Sequence, residues 1–181
     1  MTILDRTQDQ LVTLLTEEQI QQRIKELAEK INNEFADSQE LTVVGVLCGS
    51  ILFLSDLVKH LKMPVQLEFI RLSSYGNEQS SSGKIKPVDL TLPSLEGKDV
   101  LLVEDIVDTG LTATFLFDYI KIQHKARKIK FVTLLNKLCS RVKPVQVDFI
   151  GFEIDDKFVV GYGLDYKGFY RNLPYVGYFP L

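Results

Sequence analysis

The chain has 181 residues, 45% of them hydrophobic and 25% charged, with a net charge of −3 and an isoelectric point near 5.5. That length suits one domain, residues 1–181, with a substantial core, and the composition is that of a soluble globular protein. An acidic chain is poorly suited to broad charge-driven nucleic-acid contacts, and no apolar run approaches the ~20 residues of a membrane span, so neither nucleic acid nor membrane is expected as a partner.

The first residues, MTILDRTQDQ, lack the basic and apolar regions of a secretory signal. Cys48 and Cys139 are too few and too isolated for a disulfide framework or a zinc knuckle. Both features point to the cytoplasm. His60 and His124 sit beside lysines at expected helix ends and read as surface residues.

In chain order, Thr16 and Gln19 form a capping-box signature, and Ile20, Ile24, Leu27 and Ile31 recur at helical spacing, predicting an amphipathic helix over 16–36. LTVVGVL (41–47) is an apolar run expected for a strand buried on both faces. A helix opens with Gly49 and Ser50 and is expected to run until just before Pro64. VQLEFIRL (65–72) alternates like a strand. The polar, Ser/Gly-rich stretch 73–84 has no periodicity and suits either a functional lid or a hairpin tip. A strand near 85–90, a strand over 99–104, a helix from Thr112 to about His124, and strands over 128–136 and 147–154 complete the pattern. Strands alternating with helices predict an α/β fold with a mainly parallel sheet.

The sharpest feature is VLLVEDIVDTGLT, where Glu104, Asp105 and Asp108 crowd the end of an apolar strand. Ligands of open α/β sheets bind beyond the carboxyl ends of the strands. The DTGLT segment offers turn amides, two hydroxyls and a helix N-terminus, a combination that suits phosphate. Carboxylates beside it suit sugar hydroxyls or Mg²⁺. A bare EDxxD would equally suit a phosphorylation receiver or a simple Mg²⁺ site. With the preceding strand and the following DTGLT, the pattern describes a pocket for ribose 5-phosphate.

VLLVEDIVDTGLT closely resembles the 5-phosphoribosyl 1-diphosphate (PRPP) motif of type I phosphoribosyltransferases. SSYGNEQSSSG, LLNK and VDFIGFEIDDKFVVGYGLDYKGFYRNLPYVG narrow the resemblance to the hypoxanthine (hypoxanthine-guanine) phosphoribosyltransferases, over nearly the whole chain after the first helix. The resemblance implies a five-stranded, mostly parallel core sheet flanked by helices. A small hood would come from the N-terminal segment and residues 138–181. It also implies transfer of 5-phosphoribosyl from PRPP to N9 of a 6-oxopurine with Mg²⁺ as cofactor, in a homodimer or homotetramer.

Residue by residue, the resemblance gives Glu104 and Asp105 the ribose hydroxyls and the metal, with Asp165 as a further metal and purine-site carboxylate. Asp108, Thr109, Gly110, Leu111 and Thr112 would bind the 5′-phosphate, and Asp108 would also be the general base at purine N7. Cys48 and Gly49, with Arg171, would hold pyrophosphate. Lys137 would donate to the purine 6-oxygen, Phe158 would stack on the ring and Val159 would meet its edge. Ser74 and Tyr75 would be the lid pair. Outside that resemblance, Lys137 reads as a surface lysine, Phe158 as a core strand residue and Asp165 with Arg171 as a surface ion pair.

Two positions depart from the family pattern. Cys48 and Leu111 stand where a Lys or Arg is usual, and each change removes a positive charge near an anionic ligand. The alternatives are a PRPP-sensing regulator on the same fold, and an enzyme of the same scaffold acting on xanthine or a pyrimidine.

Overall fold

The computed structural model describes residues 11–73 and 86–180. Strand β1 (Val12–Leu15) leads into helix α1 (Glu17–Glu34), then β2 (Leu41–Leu47), α2 (Ile51–Val58), β3 (Val65–Ser73), β4 (Lys86–Asp89) and β5 (Asp99–Val107). The chain continues through α3 (Leu111–His124), β6 (Lys128–Lys137), β7 (Phe149–Ile154), β8 (Val159–Val160) and β9 (Val176–Tyr178).

Six strands form one sheet in the order β4-β3-β2-β5-β6-β7. The five from β3 to β7 run parallel, and β4 joins β3 antiparallel at the edge. A second, three-stranded sheet, β1-β9-β8, brings the first and last strands of the chain together, antiparallel.

Alternation along the central strands explains the apolar runs in their sequences, such as Val43 and Val44 of β2 and residues 100–103 of β5. Val43 of β2 with Leu101 and Val103 of β5 pack under α1 and α2 in one core cluster. Val44 and Val46 with Val100 and Leu102 pack under α3 in the other. A strand covered on both faces needs apolar residues on both. In α3 the buried residues are Ala113, Leu116 and Ile120, one stripe at helical spacing.

The capping box at α1 forms as expected: Thr16 accepts from the Gln19 amide at 3.3 Å, and the Gln19 side chain accepts from the Thr16 amide at 2.8 Å. Elsewhere the boundaries move. Helix α2 stops at Val58 rather than just before Pro64, because Asn32 of α1 draws the following turn to itself. Its side chain donates to the His60 carbonyl at 3.0 Å and accepts from the Lys62 amide at 2.9 Å. Strand β5 continues past 104 to Val107, held by pairing of Ile106 and Val107 with Leu135 and Asn136 of β6. Glu104 and Asp105 therefore lie within the strand, and α3 starts at Leu111, one residue earlier than expected. The last core strand begins at Phe149 rather than 147. His60 is exposed and His124 half-buried, its ring edge-on to Tyr119 at 5.1 Å.

Candidate active site

The chain leaves β2 toward β3 on one side and β5 toward β6 and β7 on the other, so the strand order reverses between β2 and β5. At such a switch point the two loops diverge and open a crevice at the carboxyl ends. A cavity of about 460 Å³ lies there, lined on the β2 side by Cys48 and Gly49. Glu104, Asp105, Asp108, Thr109, Gly110 and Thr112 line it on the β5 side, and Asp165 and Arg171 also reach it.

Local backbone geometry shapes the two loops. Gly110 is the N-cap of α3 with φ 81° and ψ −2°, a left-handed conformation that side-chain-bearing residues rarely adopt. Gly110 has no side chain with which to cap this helix, and the Thr109 hydroxyl accepts from the Leu111 amide only at 3.4 Å, so the first turn can still present its amides to a ligand. Across the crevice, Gly49 follows a cis peptide between Leu47 and Cys48. It approaches Asp105 so closely that a β-carbon would overlap the carboxylate.

The acids are held in an environment that disfavours their charge. Burial, then the charge of Asp105, pushes the Glu104 carboxyl well above its ordinary range, opposed by Arg141. Burial likewise raises Asp105 to about 6, against hydrogen bonds from the backbone amides of Ile106 and Asp105 itself and the charge of Arg171. Glu104 Oε2 and Asp108 Oδ1 are both buried without a hydrogen-bond partner. Acceptors left so are costly unless a donor or cation arrives with the ligand.

At the end of β6, the Lys137 side chain is 8% exposed, with Nζ 4.0 Å from Asp108 Oδ2 and 3.5 Å from Asp156 Oδ1. On the far wall Arg171 donates to Asp165 at 2.6 Å and to the Gly163 carbonyl at 2.6 Å, while Asp165 also accepts from the Gly168 amide at 2.7 Å. The guanidinium is thereby fixed at the wall of the cavity.

The expected residues thus fall into two groups. Cys48, Gly49, Glu104, Asp105, Asp108, Thr109, Gly110, Thr112, Asp165 and Arg171 share the switch-point cavity. Leu111 lies at the first turn of α3 outside its lining. Phe158 is 58% exposed and meets Tyr166 edge-on at 5.7 Å, in a neighbouring aromatic hollow with Lys157, Tyr178 and Phe179. Val159 is buried in β8, opposite Tyr178. Lys137 connects the groups by reaching from Asp108 to Asp156, two positions before Phe158. Ser74 and Tyr75 lie outside the described residues. Sequence reasoning missed Asp156 and Arg141, which stand in or beside the irregular stretches flanking β7. No periodicity there marks an inward-facing residue.

Residues 11–167 match the phosphoribosyl transferase domain. The chain is 46% identical over 164 residues to the hypoxanthine-guanine phosphoribosyltransferase of Bacillus subtilis, covering 91% of this chain and 90% of that one. The chain belongs to the hypoxanthine-guanine phosphoribosyltransferase family. Another member, from Aquifex aeolicus, is 45% identical over 166 residues, 92% of this chain and 93% of that one. A crystal structure of a hypoxanthine phosphoribosyltransferase from Staphylococcus aureus superposes with a TM-score of 0.88 at 37% identity, covering 99% of this chain and 95% of that one. That of a hypoxanthine-guanine phosphoribosyltransferase from Bacillus anthracis gives 0.85 at 43% identity, covering 92% and 97%. Membership in this family makes the protein a phosphoribosyltransferase, and the switch-point cavity is where its fold presents a carboxylate-lined crevice.

Proposed function

We propose that this enzyme transfers the 5-phosphoribosyl group of PRPP to N9 of hypoxanthine, and of guanine, giving IMP or GMP and pyrophosphate. The observation that carries this reading is the single crevice joining an acid-rich strand end, the glycine-led N-terminus of α3 and Arg171, with Lys137 beside its catalytic carboxylate. In this reading the amides of Gly110 to Thr112 and the hydroxyls of Thr109 and Thr112 receive the 5′-phosphate. Glu104 and Asp105 accept from the ribose hydroxyls. Gly49 and Arg171 hold the pyrophosphate, the guanidinium fork matching its oxygens.

Mg²⁺ fits this site on charge. Four carboxylates line the cavity, and Arg171 is the one cation among its lining residues. A polyanion entering such a crevice needs a divalent cation with it. Among the described residues no group of three or more His, Cys, Asp or Glu side chains is placed to hold a metal alone. The ion would therefore be shared between Glu104, Asp105 or Asp165 and the substrate's own oxygens, as Mg²⁺ prefers. Bound there, it would neutralise charge on the departing pyrophosphate.

The bond from C1 of the ribose to the pyrophosphate oxygen breaks as N9 of the base bonds to C1, with positive charge developing on C1 and the ring oxygen. Asp108, whose Oδ1 has no partner, takes the purine N7 proton. Lys137 donates to the 6-oxygen, and an ammonium, having donors alone, rejects the 6-amino group of adenine. Phe158 covers the ring, and Tyr166 supports it edge-on. The enzyme acts in the cytoplasm as a homodimer or homotetramer, for which exposed Ile51, Leu67 and Phe69 supply apolar surface. The test is a panel of hypoxanthine, guanine, xanthine, adenine and uracil with PRPP and Mg²⁺, read by nucleotide formed. IMP and GMP are expected. Product from adenine or uracil alone, or none from any base, would overturn the proposal.

A further inference from the structure

Outside the crevice, residues 141–143 cross behind the phosphate turn. The amides of Val142 and Lys143 both donate to the Thr109 carbonyl, at 2.9 and 3.0 Å. The Lys143 carbonyl lies where a β-carbon on Gly110 would have to sit. In a trans peptide the carbonyl and the next amide point in opposite directions. Pinning Thr109 C=O toward this strap therefore aims the Gly110 N–H the other way, into the cavity that Gly110 lines.

What anchors the strap is Arg141. Its neighbours Leu138, Cys139 and Val142 are exposed, yet Arg141 turns inward. Nη2 donates to Asn136 Oδ1 at 2.5 Å and to the Lys137 carbonyl at 3.2 Å, and Nε is buried without a partner. Asn136 is 2% exposed at the end of β6 and pairs with Val107 of β5, so the guanidinium is fixed to the sheet itself. Its Cδ lies 3.0 Å from the position a Gly110 β-carbon would take. Leu111 leaves the turn itself without a cation, and Arg141 stands directly behind it.

We propose that Arg141 is a positioning residue for phosphoribosyl binding: it clamps the 141–143 strap to β6, and the strap holds the Thr109–Gly110 peptide with its amide presented to the 5′-phosphate. This rests on the phosphoribosyl reading of the cavity given above. It adds a determinant of phosphate affinity that lies outside the PRPP motif. Pyrophosphate binding, which depends on the opposite wall at Gly49 and Arg171, is independent of it.

Calorimetric titration of the intact protein with ribose 5-phosphate and, separately, with pyrophosphate in Mg²⁺ tests this. Arg141→Met keeps the apolar stem and removes both hydrogen bonds. It should weaken ribose 5-phosphate by about tenfold or more, the scale of losing charge-assisted hydrogen bonds, and leave pyrophosphate within about twofold. Arg141→Lys should restore part of that affinity, and it keeps the test available should the methionine variant fail to fold. Unchanged ribose 5-phosphate affinity in both variants overturns the inference. So does an equal loss of both ligands, which marks a general structural role. If the unaltered protein binds pyrophosphate but not ribose 5-phosphate, the phosphoribosyl reading itself falls and takes the inference with it.

Discussion

Gly49, in the loop after β2, packs against the Asp105 carboxylate at the end of β5, leaving no room for a β-carbon between them. This contact sets the width of the crevice. It also joins the loop read as holding pyrophosphate to the acid read as holding the ribose, so the distance between the two halves of PRPP is fixed by one glycine. Gly49→Ala should displace one wall or the other. Because misplacement by ~1 Å can cost ~10²-fold, kcat/KM for PRPP should fall by about that factor. Steady-state kinetics checks this, and a variant with unaltered kcat/KM would show that the loop yields freely.

Asp108 combines one oxygen without a partner and one 4.0 Å from Lys137. Asp108→Asn keeps the shape and loses the proton acceptor. Turnover should drop by ~10²–10⁴-fold, the span for a general base. PRPP binding, measured by calorimetry, should stay nearly unchanged. Turnover at the unaltered rate would remove Asp108 from the base role.

Lys137, itself nearly buried, is held between the more exposed Asp108 and Asp156. Lys137→Gln introduces an acceptor beside a donor. The ratio of hypoxanthine to adenine use should narrow, with kcat/KM for hypoxanthine falling about 10–100-fold, the scale of one charge-assisted hydrogen bond. A base panel on the variant measures both. An unaltered ratio would place discrimination elsewhere.

Two buried carboxylates should tilt stability in opposite directions with pH. Asp99 accepts from Arg127 and from the Ser38 hydroxyl, and the Arg127 hydrogen bond leads in holding its carboxyl below 3.8. The folded state therefore binds its proton more weakly than the unfolded chain. The stabilisation is complete above the unfolded value and is lost as pH falls below 3.8 through the folded value. Asp105 is raised from 3.8 to about 6, so its folded form prefers the proton. Its contribution is full below 3.8 and is lost as pH rises through about 6. Melting temperature against pH should show Asp99→Asn flattening the acid limb and Asp105→Asn flattening the decline toward neutral pH. Unchanged profiles would contradict both assignments.

The sheet was legible because a strand buried on two faces is apolar on both, as Val43 and Val44 of β2 and the run 100–103 of β5 are. The acids were legible for the opposite reason, since three carboxylates crowded beside an apolar strand and a glycine turn call for a cation or hydroxyls to meet them. What stayed hidden depends on contacts distant in sequence. The early end of α2 comes from Asn32, far back in α1. Strands β1, β8 and β9 have 4, 2 and 3 residues, too short for a periodicity, and exist because the chain's two ends pair. Arg141 looks like any loop arginine until the turn it braces is in view.

The most direct measurement is a crystal structure with IMP bound. The 5′-phosphate should lie on the amides of Gly110 to Thr112, the ribose hydroxyls against Glu104 and Asp105, and the 6-oxygen within hydrogen-bond distance of Lys137 Nζ. Nucleotide density anywhere other than the crevice between β2 and β5, or with the phosphate at the Gly49 wall and the base turned from Lys137, would contradict the account.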